Sequence, residues 1–159
     1  MSQQSKKVKS SSTNSSVSYS KTKKASKGNG ASSFEKDITI MFMEVLMMVK
    51  LYHWKTYSHS QHKATDSFYG SLNEHMDTFI EVLMGKTGMR IDLMKQKSIK
   101  LMDLTNIDQF RAKLEDFKTY LSDLEKLPFI KSMPNTDLLN IRDEILGDLN
   151  QLLYLLTLE

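Results

Sequence analysis

The chain contains no cysteine, and it has only 2 prolines and 6 glycines in 159 residues. The absence of cysteine excludes disulfide scaffolds, thiol nucleophiles, iron–sulfur clusters and cysteine-ligated zinc sites. Any metal ion must therefore be held by histidine, aspartate or glutamate. The scarcity of proline and glycine excludes collagen-like and proline-rich classes. What the chain does have is 40% hydrophobic residues, among them 11 methionines, which suits one adaptable helical core.

Charge is distributed unevenly along the chain. Residues 1–33 contain 12 serines and no acidic residue, whereas residues 34–159 hold 15 Lys+Arg against 19 Asp+Glu. The seven lysines of the first segment are Lys6, Lys7, Lys9, Lys21, Lys23, Lys24 and Lys27. Because this segment has too little apolar surface to offset its ordering entropy, we predict a disordered tail over 1–33 and one domain over 34–159. Its lysines predict either a salt-sensitive DNA-binding arm or a solubilising leader.

The most apolar stretch, residues 38–51, is interrupted by Glu44 and Lys50. It is too short and too charged to span a bilayer. The N-terminal lysines are not followed by the apolar segment of a secretory signal. We therefore expect an intracellular protein, cytoplasmic or DNA-associated, that is neither secreted nor bound to a membrane.

Four segments repeat apolar residues at helical spacing, and no segment alternates like a strand. They predict helix A over about 34–57, helix B over about 60–84, helix C from Ile107 to Leu124 and helix D after Pro134. Ser32 and Glu35 form a capping-box pattern before helix A. The lysine-rich connection over 86–105 contains apolar residues that suggest a short helix near Ile91. We predict an all-α four-helix bundle with a long B–C crossover, which is the connectivity of ferritin-like bundles.

Histidine and carboxylate residues are concentrated on one face of helix B. With His62 at 0°, Asp66, Asp77 and Glu81 fall at about 40°, 60° and 100° around the helix. His53, near the end of helix A, can reach the same face. Imidazoles and carboxylates together suit iron, manganese or zinc. Such a face is also common on ordinary solvent-exposed helices, and His59 and His75 are interpreted in that way.

Helical rise limits how these residues can share a metal ion. Asp66 and Asp77 are separated by about 16 Å along one helix. The two ends can meet only if a second copy of helix B lies antiparallel across a two-fold axis. Each site would then take His62 and Asp66 from one chain and Asp77 and Glu81 from the other. The chain has no pair of Glu-x-x-His motifs, which a conventional single-chain di-iron bundle requires.

The segment His53-Trp54, followed by His62-x-x-x-Asp66 and His75-x-Asp77-Thr78-x-x-Glu81, resembles the ferroxidase signature of the DNA-protecting starvation protein (Dps) family. The resemblance is clear over about 41–84. A weaker similarity of helix pattern covers about 107–158. In that family the site lies between two-fold related chains, and all five ligand positions are filled here by the expected residue types.

The resemblance implies a ferritin-like fold, a homo-oligomer with a two-fold dimer through helix B, and a dodecameric hollow shell. It implies ferroxidase activity, in which hydrogen peroxide or dioxygen oxidises Fe(II), with protection against oxidative stress. Iron would bind as a di-iron or mono-iron centre at the two-fold interface, with zinc or manganese as substitutes. The implied metal ligands and catalytic residues are His53, His62, Asp66, Asp77 and Glu81. The basic tail resembles the arms by which some members bind DNA.

Two other interpretations stay open at this point. One is a non-enzymatic protein that binds and compacts DNA through residues 1–33 on a ferritin-like scaffold. The other is a helical interaction module in which the histidine and carboxylate face is incidental.

Overall fold

The computed structural model describes residues 27–158, with side chains from residue 30 onward. Five α-helices follow one another, and no strand occurs within these residues. They are α1 (Lys27–Lys55), α2 (His59–Thr87), α3 (Ile107–Asp123), α4 (Pro128–Lys131) and α5 (Thr136–Leu155), with a 3₁₀ turn at Leu124–Lys126 before α4. The prediction of a disordered tail over 1–33 falls, up to residue 26, outside the described part of the chain, and for residues 30–33 it is wrong because they belong to α1.

The four long helices pack together as predicted, so the protein is all-α. Tyr52 of α1 stacks on Phe110 of α3 at 3.9 Å between ring centroids, and Phe42 contacts Phe117 of α3 edge-on. Phe42 precedes Tyr52 in α1, whereas its partner Phe117 follows the partner of Tyr52, Phe110, in α3. The two helices are therefore antiparallel. Phe79 of α2 completes the centre of the core against Phe42, at 5.5 Å between ring centroids. Each such aromatic side chain buries a large apolar surface and so stabilises the core, together with the aliphatic residues around it.

Residues 88–106 cross from the end of α2 to the start of α3 without a helix. The segment runs beside α1, where the amide of Lys100 donates to Glu44 at 3.2 Å and the ammonium of Lys55 pairs with Asp103. The helix predicted near Ile91 is therefore wrong: the described backbone has only a turn at residues 94–95. The apolar residues of this stretch lie against the body or in solvent rather than along one helical stripe.

The start of α1 also differs from the prediction. The helix begins at Lys27, so Ser32 lies inside it and does not cap it. The extra turns are held by Phe34, which is buried and lies 5.2 Å from the ring of Phe129. Glu35 is buried as well and accepts a hydrogen bond from Thr87 at 2.5 Å, instead of completing a capping box.

Two other helix ends follow the expected local chemistry, whereas Asn135 at the start of α5 makes no side-chain capping hydrogen bond. Asn106 caps α3 by accepting hydrogen bonds from the amides of Asp108 and Gln109, at 2.8 and 3.0 Å. Gly88 ends α2 in the left-handed region, at φ 68°, which glycine adopts without strain. Within residues 27–158, no helix is long and apolar enough to cross a membrane.

Candidate metal-binding face

A tight turn brings the two histidines of the predicted site together. His53 lies in the last turn of α1, and His62 lies in the first turn of α2. Ser58 caps α2 by accepting a hydrogen bond from the amide of Gln61 at 3.3 Å. The side-chain oxygen of Gln61 in turn accepts from the hydroxyl of Tyr52 at 2.8 Å. Burial raises the pKa of Tyr52, so its hydroxyl stays a neutral donor in this turn.

The two imidazoles bind each other's backbone. Nδ1 of His53 lies 3.0 Å from the carbonyl oxygen of His62, and Nδ1 of His62 lies 3.0 Å from the carbonyl oxygen of His53. A carbonyl can only accept, so both Nδ1 atoms carry the hydrogen. In the neutral rings, Nε2 is then left with its lone pair available for a metal ion. The rings stack at 3.9 Å between centroids.

Asp66 lies beside this pair, one turn further along α2. Its Oδ1 is 3.7 Å from Nε2 of His53, the atom that the backbone contacts leave free. The Asp66 side chain is 61% exposed, so the carboxylate faces solvent while the ring of His53 is buried. The structure therefore places His53 in contact with two other predicted ligands, His62 through ring stacking and Asp66 through Nε2.

Asp77 and Glu81 are not brought to this site. Both are exposed and lie further along α2, and neither has an ion-pair or hydrogen-bond partner among the side chains described. No three histidine or acidic side chains in the described residues come close enough to hold a metal ion. A single chain therefore carries a partial donor set at one end of α2 and two unpaired carboxylates towards the other.

Two features of the surroundings were not anticipated from the sequence. Lys50 places its ammonium 4.0 Å from Oδ1 of Asp66. His75, interpreted as an ordinary surface histidine, lies between α2 and α5 with Nδ1 3.3 Å from Glu144 and Nε2 3.3 Å from Asp148. The spacing of four residues between Glu144 and Asp148 was the only available signal, and it does not identify the helix that faces them.

Comparison with known proteins gives one match. No curated protein and no solved structure matches the chain. The model of a family of unknown function, DUF5856, matches residues 53–156, a range that begins at His53 and includes all five candidate ligands. Since the match covers most of the chain, this protein belongs to the DUF5856 family.

Proposed function

We propose that the protein is a ferritin-like, Dps-like ferroxidase that binds Fe(II) between two copies of the chain and oxidises it. The observation that carries the proposal is the pair of histidines whose Nδ1 atoms are fixed by backbone carbonyls beside Asp66. Fixing Nδ1 in this way orients the ring and leaves Nε2 as a ligand, which is how metal-binding histidines are commonly held. The side chain of His53 is also buried, so the packing around it restricts the orientation of the ring.

The missing ligands are supplied by the symmetry of α2. Two pairs of ligands have the same midpoint in α2, between Ser71 and Leu72. One pair is His62 and Glu81, and the other is Asp66 and Asp77. One two-fold axis at that point therefore brings both pairs together in an antiparallel dimer. It also places the half of α2 that carries Asp77 and Glu81 against the half of the second copy that carries His62. Four residues that were exposed on a helix for solubility alone would not need to form two pairs with the same midpoint.

The ligand set fits ferrous iron as a substrate. Imidazole nitrogens and carboxylate oxygens are ligands that iron, manganese and zinc all accept. Each ferrous ion gives up one electron, so two ions reduce one hydrogen peroxide molecule, with two protons taken up, to water. Carboxylates favour the ferric product because they compensate its additional positive charge.

The proposal is tested by loading the protein with Fe(II) under anaerobic conditions, adding peroxide and following ferric absorbance. We expect fast oxidation in the wild type and loss of most of it in Asp66→Ala and in Asp77→Ala. The matched control is Asp116→Ala, which removes an exposed carboxylate from α3. Equal oxidation in the wild type and in both α2 variants would contradict the proposal.

Co-expression of the two inactive variants tests whether the site is shared. In a mixed dimer, the site formed by the unmutated Asp66 and the unmutated Asp77 is intact, so random pairing restores about one quarter of the sites. A site built within one chain would give no recovery. This complementation separates an interfacial site from an intramolecular one without any structural assumption about the shell.

The tail provides a second candidate role, binding and compaction of DNA. Seven lysines without an acidic residue in the first 33 residues favour it. Replacing those lysines with glutamine in the full chain should abolish DNA retention and leave iron oxidation unchanged. A protein that retains DNA but does not oxidise iron in its wild-type form would instead be the non-enzymatic DNA-compacting alternative.

A further inference from the structure

Lys50 lies on α1, three residues before His53, and its side chain crosses to α2. The ammonium nitrogen is 4.2 Å from the ring centroid of Tyr69 and 4.0 Å from Oδ1 of Asp66. The ring centroid of Trp54 is 5.9 Å from the same nitrogen. A carboxylate and aromatic faces are the surroundings that bind a cation. The chain thus supplies its own cation to the proposed iron site.

We propose that Lys50 is a built-in competitor for the metal ion, which holds Asp66 in the metal-free chain and has to be displaced during loading. This inference rests on the function proposed above. It assigns to Lys50 the role of a residue that sets affinity, and it gives Tyr69 and Trp54 the role of positioning its ammonium.

The competition follows from the shared oxygen. Oδ1 of Asp66 lies 3.7 Å from Nε2 of His53 and 4.0 Å from the ammonium of Lys50. A divalent ion held by that oxygen and that nitrogen would lie within a few ångströms of the ammonium and repel it. The ring of Trp54, one helical turn further along α1, offers the ammonium a second face once Asp66 is taken.

The arrangement has a consequence for selectivity. A monovalent cation gains no more from Asp66 than the ammonium it replaces, whereas a divalent cation gains about twice the electrostatic attraction. Lys50 therefore disfavours sodium and potassium and lowers the affinity for every divalent ion.

The test uses Co(II) alone as the probe and the full chain as the protein. Affinity is measured by calorimetry and by quenching of Trp54, the only tryptophan of the chain. Lys50→Met removes the charge but keeps the apolar stem, and we expect Co(II) to bind at least about tenfold more tightly. Lys50→Gln is the second variant, and Lys50→Arg, which keeps the charge, should bind no more tightly than the wild type.

Lys63→Met is the matched control, because Lys63 is exposed, adjoins His62 in the chain and has no ion-pair partner among the described side chains. It makes the same change in net charge, and we expect affinity within about twofold of the wild type. Equal affinity of the wild type, Lys50→Met and Lys50→Gln for Co(II) would overturn the inference and leave the proposed function standing. Absence of Co(II) binding in the wild type and in every variant would overturn the proposed function itself.

Discussion

Gly70 offers a direct test of how two copies meet. It lies in the middle of α2, exposed, and a Cβ built there would meet no atom within 4 Å. Glycine inside a helix costs about 0.5–1 kcal/mol relative to alanine. Within the described part of the chain, no close contact requires a glycine at this position. Under the proposed two-fold axis, Gly70 faces Asn73 of the second copy, since these two residues share the same centre between Ser71 and Leu72.

The perturbation is Gly70→Leu, compared with Gly85→Leu. Gly85 lies on the same helix in equally open surroundings, but about 60° further around it than Gly70. Both substitutions should leave the single chain as stable or raise its free energy of unfolding by up to about 1 kcal/mol. At a close helix contact, however, the added leucine side chain overpacks the interface, which makes the free energy of association less favourable by about 1–3 kcal/mol per site. Gly70→Leu should therefore weaken self-association at least about tenfold, and Gly85→Leu should not.

Sedimentation equilibrium measures the association constants, and chemical denaturation measures the stability of each variant. Iron oxidation should fall with association in Gly70→Leu and recover when protein concentration is raised. The reasoning is refuted if the two leucine variants associate equally well, because the second copy of α2 would then not pack against Gly70. It is equally refuted if Gly70→Leu unfolds the single chain, since a clash would then exist within it.

Three further predictions concern the body of the fold. Phe42→Ala should lower the free energy of unfolding by about 3–5 kcal/mol in chemical denaturation, because this fully buried ring contacts both neighbouring helices of the core. Asn106→Ala should cost about 1 kcal/mol in the same measurement, through loss of the cap on α3. Burial, with the nearby charge of Asp37, raises the pKa of Tyr120 to about 12. The unfolded chain therefore loses this proton first, so stability should decline from about pH 10 to pH 12, and Tyr120→Phe should lessen that decline in alkaline melts.

The helices of the bundle were predictable because their apolar periodicity is set by the same residues that become the core. Ile107 to Leu124 repeats at helical spacing, and α3 with its following turn occupies that range. The start of α1 was not predictable from local signals. Ser32 and Glu35 have the letters of a capping box, but the contact of Phe34 with Phe129 depends on residues nearly a hundred positions away. Local propensity is a weak guide where a distant contact stabilises extra turns.

The candidate site was predictable in residue type and only partly in geometry. Helical spacing placed Asp66 near His62, but it could not show that His53 and His62 exchange hydrogen bonds with each other's carbonyls. That exchange depends on the length of the turn at residues 56–58. The approach of Lys50 to Asp66 joins two helices, and no pattern within one helix reports such a contact.

The crossover over residues 88–106 divides the chain into two halves that are each local in sequence. α1 and α2 form one helical hairpin, and α3 and α5 form the other, so most of each hairpin's internal contacts can form before the crossover closes. Closing a loop of this length costs little more than closing one half as long. Its cations at Arg90, Lys95, Lys97 and Lys100 are exposed. Within residues 34–158, trypsin should therefore cut the native protein here first, and the two hairpins, held by the shared aromatic core, should remain associated as a nicked but folded bundle.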